Sequence, residues 1–284
     1  MKIVVATQWF PGDTPMLPIK NDLGLVEGTQ LDHSLNRFGF SSVSAQKAIE
    51  NKAWYTDKHG YDLYIEDKIL DKDRPRCWSK IKILLKLLDR DYDYVFWSDI
   101  DTLILNGDIR VEDIIESYQS ANQTGQWGSF LTNKDIIFGS EWTPDSDYDP
   151  IEWDDHIKEG DKELNCGNII IKNTKWSKKF FRDVYAQTQF IKEEWPWGTE
   201  QRAVMHLIAG QRPCVPRKIY RNMKKHVAFL DQHVMNSYCD YGNPNFNETY
   251  HIYKEGDWIM HLAGVPNRDH FFDMWFQKWK ESLK

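Results

Sequence analysis

Apolar positions recur along this chain at two spacings, and the switches between them mark out short strands and amphipathic helices. "KIVVAT" (2–7) is a β-branched run that gives way to the Pro- and Gly-containing "TQWFPGDTPMLP", which predicts a strand followed by a long loop. Residues 43–58 carry a helical pattern, stopped by the Gly of "KHGYDLYIED" ahead of a strand that sets Leu63 and Ile65 against Asp62 and Tyr64. In "CWSKIKILLKLLDRD" the spacing places Ile81, Leu84, Leu85 and Leu88 on one helical face, and "YVFW" follows as a buried strand. Strand, helix, strand, helix, strand is the βαβ pattern of an α/β fold with a mainly parallel sheet and right-handed crossovers. Such sheets bind ligands beyond the carboxyl ends of their strands.

The second half is less regular. "QWGSFL" (126–131) and "DIIFGS" (135–140) read as strands, and the acidic "SEWTPDSDYDPIEWDDH" (140–156) as an exposed loop that could lie over a site. "NCGNIIIKNTKWSKKFFRDVYAQTQF" reads as a loop, a buried strand and a helix capped by Thr174. "WPWGTEQRAVMHLIAG" reads as a helix that begins near Thr199 and closes at Gly210. With no internal repeat, low-complexity tract or obvious linker, the 284 residues are expected to form one domain.

Two carboxylates break the apolar run "YVFWSDIDTLILN" (94–106). On an extended chain, Asp99 and Asp101 would point the same way, roughly 6 to 7 Å apart. An ionised pair there needs water, a basic partner or a cation. The plain alternative is a strand that ends in an acidic turn. A hard divalent cation such as Mg²⁺ or Mn²⁺ takes carboxylate and phosphate oxygens and keeps positions open for a diphosphate, the group that a nucleotide-sugar donor carries. His261 of "EGDWIMHLAGVPNR" follows a short apolar strand and is a candidate third ligand, and Arg268 beyond it is a candidate phosphate clamp.

Composition narrows the partners. A net charge of -7 disfavours nucleic acid. The 14% aromatic content, with 13 Trp, serves packing first, though aromatic faces also suit sugar rings. Four scattered cysteines without a C-x-x-C pair read as reduced thiols. No apolar run approaches the roughly 20 residues of a membrane span, and "MKIVVATQWF" is too short for a signal core. The sequons at Asn122 and Asn247 read as chance.

Four blocks in order, "NKAWYTDKHGYDLYIED", "WSKIKILLKLLDRDYDYVFWSDIDTLILN", "LNCGNIIIKNTKWSKKFF" and "GDWIMHLAG", resemble glycosyltransferase family 34, the galactosyl-, mannosyl- and xylosyltransferases, across roughly residues 45–265. The resemblance implies a GT-A fold with a Rossmann-like sheet flanked by helices. It also implies a nucleotide-sugar donor (a UDP-sugar favoured over a GDP-sugar), a glycan or glycoconjugate acceptor, a Mn²⁺-type cofactor (or Mg²⁺) and transfer with retention. About 1–105 would form the donor half and about 106–284 the acceptor half. By position, Asp99 and Asp101 match the family's D-x-D and His261 its third metal ligand. Lys80 matches a lysine near the donor phosphates, Asn165 and Gly167 a segment lining the sugar, and Glu200 and Gln201 an acidic-Gln pair facing the sugar. The chain departs from the pattern in having Glu200 where Asp is expected and in lacking a lysine after "HLAG", leaving Arg268 as its substitute. Without the anchor of Golgi members, a cytoplasmic bacterial or viral enzyme is expected.

Two other readings remain. One is a haloacid-dehalogenase-type phosphohydrolase, whose D-x-D also follows a strand, although here Thr102 stands one residue after the second Asp rather than two. The other is a non-catalytic carbohydrate-binding protein that grips a glycan with aromatics.

Overall fold

The structure is a computed structural model and describes residues 1–9, 40–117, 131–140, 164–191, 199–209, 225–242, 244 and 250–284. Its strands are β1 (Ile3–Gln8), β2 (Asp62–Glu66), β3 (Tyr94–Ser98), β4 (Thr102–Ile104), β5 (Ile136–Gly139), β6 (Asn165–Lys172), β7 (Val227–Leu230), β8 (Ser237–Tyr238) and β9 (Ile259–His261). Its helices are α1 (Ser42–His59), α2 (Ser79–Leu88), α3 (Val111–Ser117), α4 (Lys175–Tyr185), α5 (Glu200–Ala209), α6 (Gln232–Met235) and α7 (Arg268–Ser282). Among the described residues, six strands form one sheet in the order β2-β1-β3-β6-β5-β7, and β4-β9-β8 form a second, smaller one. In the large sheet β6 runs against both its neighbours while the other adjacent pairs are parallel, so the sheet is mainly parallel.

Helices cover both faces, which explains why β1 and β3 read as continuous apolar runs. Period two still sorts their side chains. Val4, Ala6, Val95 and Trp97 face α2 and α4 through Ile81, Leu84, Leu88, Phe180 and Phe181. Ile3, Val5 and Phe96 face the other way, toward Tyr55 of α1, Ile114 and Ile115 of α3, and Trp258. Thr174 caps α4 as expected, its hydroxyl accepting from Ser177 N at 3.1 Å. Gly60 ends α1 at φ 71°, a left-handed conformation that glycine adopts without steric cost.

Several local expectations are corrected. In β2, Ile65 is exposed and Glu66 is buried, because Glu66 takes the Tyr64 hydroxyl at 2.6 Å and Lys86 at 3.1 Å. The buried face of α2 includes Ile83 and Leu87 while Leu85 is only half-buried. Residues 165–168 are part of β6 rather than a loop before it. Asp99 and Asp101 lie in a turn between β3 and β4, not on extended chain. Helix α7 was absent from the pattern reading, although Phe272, Phe276 and Trp279 mark its buried stripe at helical spacing. The strand expected at 126–131 lies outside the described residues up to Leu131, which opens a single 3₁₀ turn. The loop at 140–156 after Ser140, the loop after Trp9 and the stop at Gly210 also lie outside them.

The small sheet presents β4 as an edge, and α1 takes up its free backbone groups. Asn51 donates to Ile104 O at 2.9 Å and accepts from Ile104 N at 2.8 Å, imitating a neighbouring strand. Lys52, fully buried, donates to Thr102 O at 3.0 Å. Asn51→Ala would strand a buried N–H and a buried C=O, and should cost at least about 2 kcal/mol in urea unfolding.

Candidate active site

The turn after β3 is pinned from every side. Thr102 donates from its N–H at 3.2 Å and its hydroxyl at 2.7 Å to Asp99 O. That hydroxyl's single proton is thereby used, so it accepts from Ser98 Oγ at 2.7 Å and from Lys52 Nζ at 3.1 Å. Asp99 N donates to Gly167 O at 2.7 Å, and Leu262 N donates to Asp101 O at 3.1 Å. Pairing of Thr102 with His261 then sets β9 so that its last side chain meets the two carboxylates.

Ligand-type atoms of Asp99, Asp101 and His261 all lie within 4.8 Å of one another. His261 Nδ1 is 2.7 Å from Asn236 Oδ1, and Asn236 Nδ2 in turn donates to Ser140 O at 3.3 Å. With the amide so oriented, Nδ1 donates to Asn236 and Nε2 is the nitrogen turned toward the carboxylates. Nε2 faces Asp101 Oδ1 at 3.4 Å, where the two can share a proton or a cation. The donor set, two carboxylates and an imidazole, fits Mn²⁺ or Mg²⁺. Gly167 makes the room: a Cβ there would lie 2.3 Å from His261 Cε1 and 2.7 Å from Asn165 Oδ1.

Lys80 joins the cluster to α5. Its buried ammonium lies 3.1 Å from Asp99 Oδ1 and 2.8 Å from Glu200 Oε1, and donates to Cys166 O at 2.8 Å. Burial works against its charge, but Asp99 and Glu200 hold it above the usual lysine range. Asp99 is pushed up by burial and by Asp101, against the pull of Lys80, and receives the Trp97 indole N–H at 2.6 Å. Asp101 moves the other way: burial opposes its charge, yet Arg268 at 2.7 Å and His261 hold it below the carboxylate range. Behind the turn, burial lowers Lys52 to about 7 despite the attraction of Asp101 and Asp99.

The candidates from the sequence therefore gather in one place. Gln201 Oε1 accepts from Cys166 N at 2.9 Å, Asn165 Oδ1 accepts from Gly167 N at 2.6 Å, and Arg268 opens α7 beside Asp101. The register of β6 slips opposite Phe138 and Gly139, and this irregularity turns the backbone of residues 166 and 167 toward Lys80, Gln201 and Asp99. Lys52, Asn236 and Trp97 were missed. Lys52 looks like any helical lysine and Asn236 like any loop asparagine; only the Trp97 spacing, two residues before Asp99, offered a local signal.

A mainly parallel sheet flanked by helices, with a small second sheet at its carboxyl edge, is the GT-A glycosyltransferase fold. A solved glycosyltransferase involved in the glycosylation of the major capsid of PBCV-1 shares it, with a TM-score of 0.56 at 14% identity, covering 96% of this chain and all of that one. By sequence, the chain belongs to the galactosyl transferase GMA12/MNN10 family, which it matches over residues 35–271. Relatives include an uncharacterized alpha-1,2-galactosyltransferase of Schizosaccharomyces pombe, 26% identical over 76% of this chain and 55% of that protein. Another is the probable alpha-1,6-mannosyltransferase MNN10 of Saccharomyces cerevisiae, 23% identical over 76% of this chain and 54% of that one. The chain thus spans about half the length of the curated relatives it matches. Among the described residues, no helix is long and apolar enough to cross a membrane.

Lys80→Met should leave half-buried Asp99 and buried Glu200 without their cation, costing roughly 3 to 5 kcal/mol near neutral pH. One carboxyl would then bind a proton in the folded state at a pH where the unfolded chain does not. Relative to the native chain, the variant should therefore lose stability as pH rises from 5 to 8, read as the difference between the two urea-unfolding series.

Proposed function

We propose that this chain is a metal-dependent, retaining glycosyltransferase that moves a hexose or pentose from a nucleotide-sugar, with UDP favoured over GDP, to a hydroxyl of a glycan or glycoconjugate. The observation that carries this reading is the convergence of Asp99, Asp101 and His261 at the carboxyl end of β3. The relatives, galactosyl- and mannosyltransferases by name, support the class of transfer. Residues 1–105 would then form the donor side and 106–284 the acceptor side. The phosphohydrolase and carbohydrate-binding alternatives are not favoured, since neither accounts for the family match or for His261 beside the carboxylates.

Asp99, Asp101 and His261 would hold Mn²⁺ or Mg²⁺, which when bound supplies Lewis-acid stabilisation of the departing diphosphate. Lys80 adds a fixed positive charge from below, held ready by Asp99 and Glu200. Asn165 and Gly167 would line the sugar, and Gln201, with its oxygen on Cys166 N, would face it with them. Glu200 is engaged by Lys80, so its role is to shape the sugar pocket rather than to attack. The acceptor would approach on the leaving group's face, with the departing phosphate drawing off its hydroxyl proton.

Thermal unfolding against UDP, GDP and their sugars, with and without Mn²⁺, tests the donor. A nucleotide at a hundredfold its Kd should add about 2.7 kcal/mol in the native chain, only with metal, and should add nothing in Asp101→Asn. Stabilisation that survives without metal, or in the variant, would refute the metal reading. A slow fluorosugar donor should leave no covalent sugar on Glu200 by mass spectrometry; a trapped adduct there would replace same-face attack by a double displacement.

A further inference from the structure

Arg268 stands where the cation itself would act. Its Nη1 lies 2.7 Å from Asp101 Oδ2, while the other Asp101 oxygen faces His261 Nε2 at 3.4 Å. Both oxygens of one candidate ligand are thus engaged, one of them by a positive charge. The guanidinium is nearly enclosed, with 11% of its side chain exposed, and its buried Nε has no hydrogen-bond partner among the described residues. It is fixed at the first position of α7, behind Asn267 at φ 50°. Lys80 is placed differently, since its ammonium is already shared by Asp99, Glu200 and Cys166 O.

A divalent cation among Asp99, Asp101 and His261 would sit beside this fixed guanidinium, and like charges in a partly dry pocket repel strongly. A diphosphate removes the conflict, because its oxygens can face a cation on one side and a guanidinium with an unspent N–H on the other. Resting on the metal-dependent reading above, we propose that Arg268 decides the form in which the cation is taken. The guanidinium guards Asp101 against the bare ion and yields it when the ion arrives with a nucleoside diphosphate. Arg268 is therefore a coupling residue between two ligands, beyond any simple contact with phosphate.

Manganese retained by the full chain in equilibrium dialysis, corrected for the Mn²⁺–nucleotide complex in solution, measures this directly. Native protein should hold Mn²⁺ at least tenfold more tightly with UDP or GDP present than alone. R268Q should bind the bare ion at least tenfold more tightly than native protein and gain less from either nucleotide. R268K, which keeps the charge, should stay close to native, and D101N should lose binding in both conditions. Equal affinity of native protein for Mn²⁺ with and without nucleotide would overturn the inference even if R268Q fails to fold. So would R268K binding the bare ion as tightly as R268Q, since packing rather than charge would then be responsible. Manganese binding that is strong in D101N, or missing in every chain with every nucleotide, would instead remove the metal reading, and this inference with it.

Discussion

The ammonium of Lys80 sits among three acceptors that belong to three separate stretches of chain: the Asp99 carboxylate after β3, the Cys166 carbonyl in β6 and the Glu200 carboxylate at the start of α5. Each partner is costly to bury alone, and together they are tolerable only in this one arrangement. Asp99 and Glu200 can converge because a cation lies between them, and β6 can turn a carbonyl inward because a donor meets it. The remainder of the site hangs from this junction. Through Gly167 O and Asp99 N it fixes the turn that carries Asp101, and through β4 and β9 it fixes His261.

Much of the site is made by backbone, and glycine is part of the chemistry. Gly167 gives its carbonyl to Asp99 and its missing side chain to His261, so one position serves both the turn and the imidazole. Asn236 acts one layer further out. By accepting from Nδ1 it fixes which imidazole nitrogen faces the carboxylates, and its own amide is oriented by Ser140 O.

Particular residues show what could be read from the sequence and what could not. β1, β3, β5 and β6 were legible because burial on both faces writes itself along the chain as unbroken apolar runs such as "YVFWS", whereas β2 showed only alternation and β7 went unread. Asp99, Asp101 and His261 were legible because polar groups at the ends of apolar strands are anomalous. Their geometry was not, since an extended-chain argument cannot foresee a turn held by Thr102 and Ser98. Lys52 was hidden for a different reason. A lysine in a helix is ordinarily solvated, and only β4 crossing over it from 50 residues away makes it a buried donor. In α7 the aromatic stripe was present, but lysines and acids between its members blurred a pattern that packing against Phe40 and Ala48 makes plain.

The reversed direction of β6 has a topological consequence. Because β5 runs parallel to β3 and β6 runs against both, β5 ends and β6 begins at the same edge of the sheet, where Gly139 pairs with Asn165. The chain therefore leaves β5 and enters β6 at one edge of the sheet, beside the cluster of Asp99, Gly167 and His261. The entropic cost of lengthening such a connection rises only slowly with its length. Length added between these two strand ends would thus leave every strand in register, so the sequence that joins β5 to β6 is free to change without disturbing the groups at the strand ends.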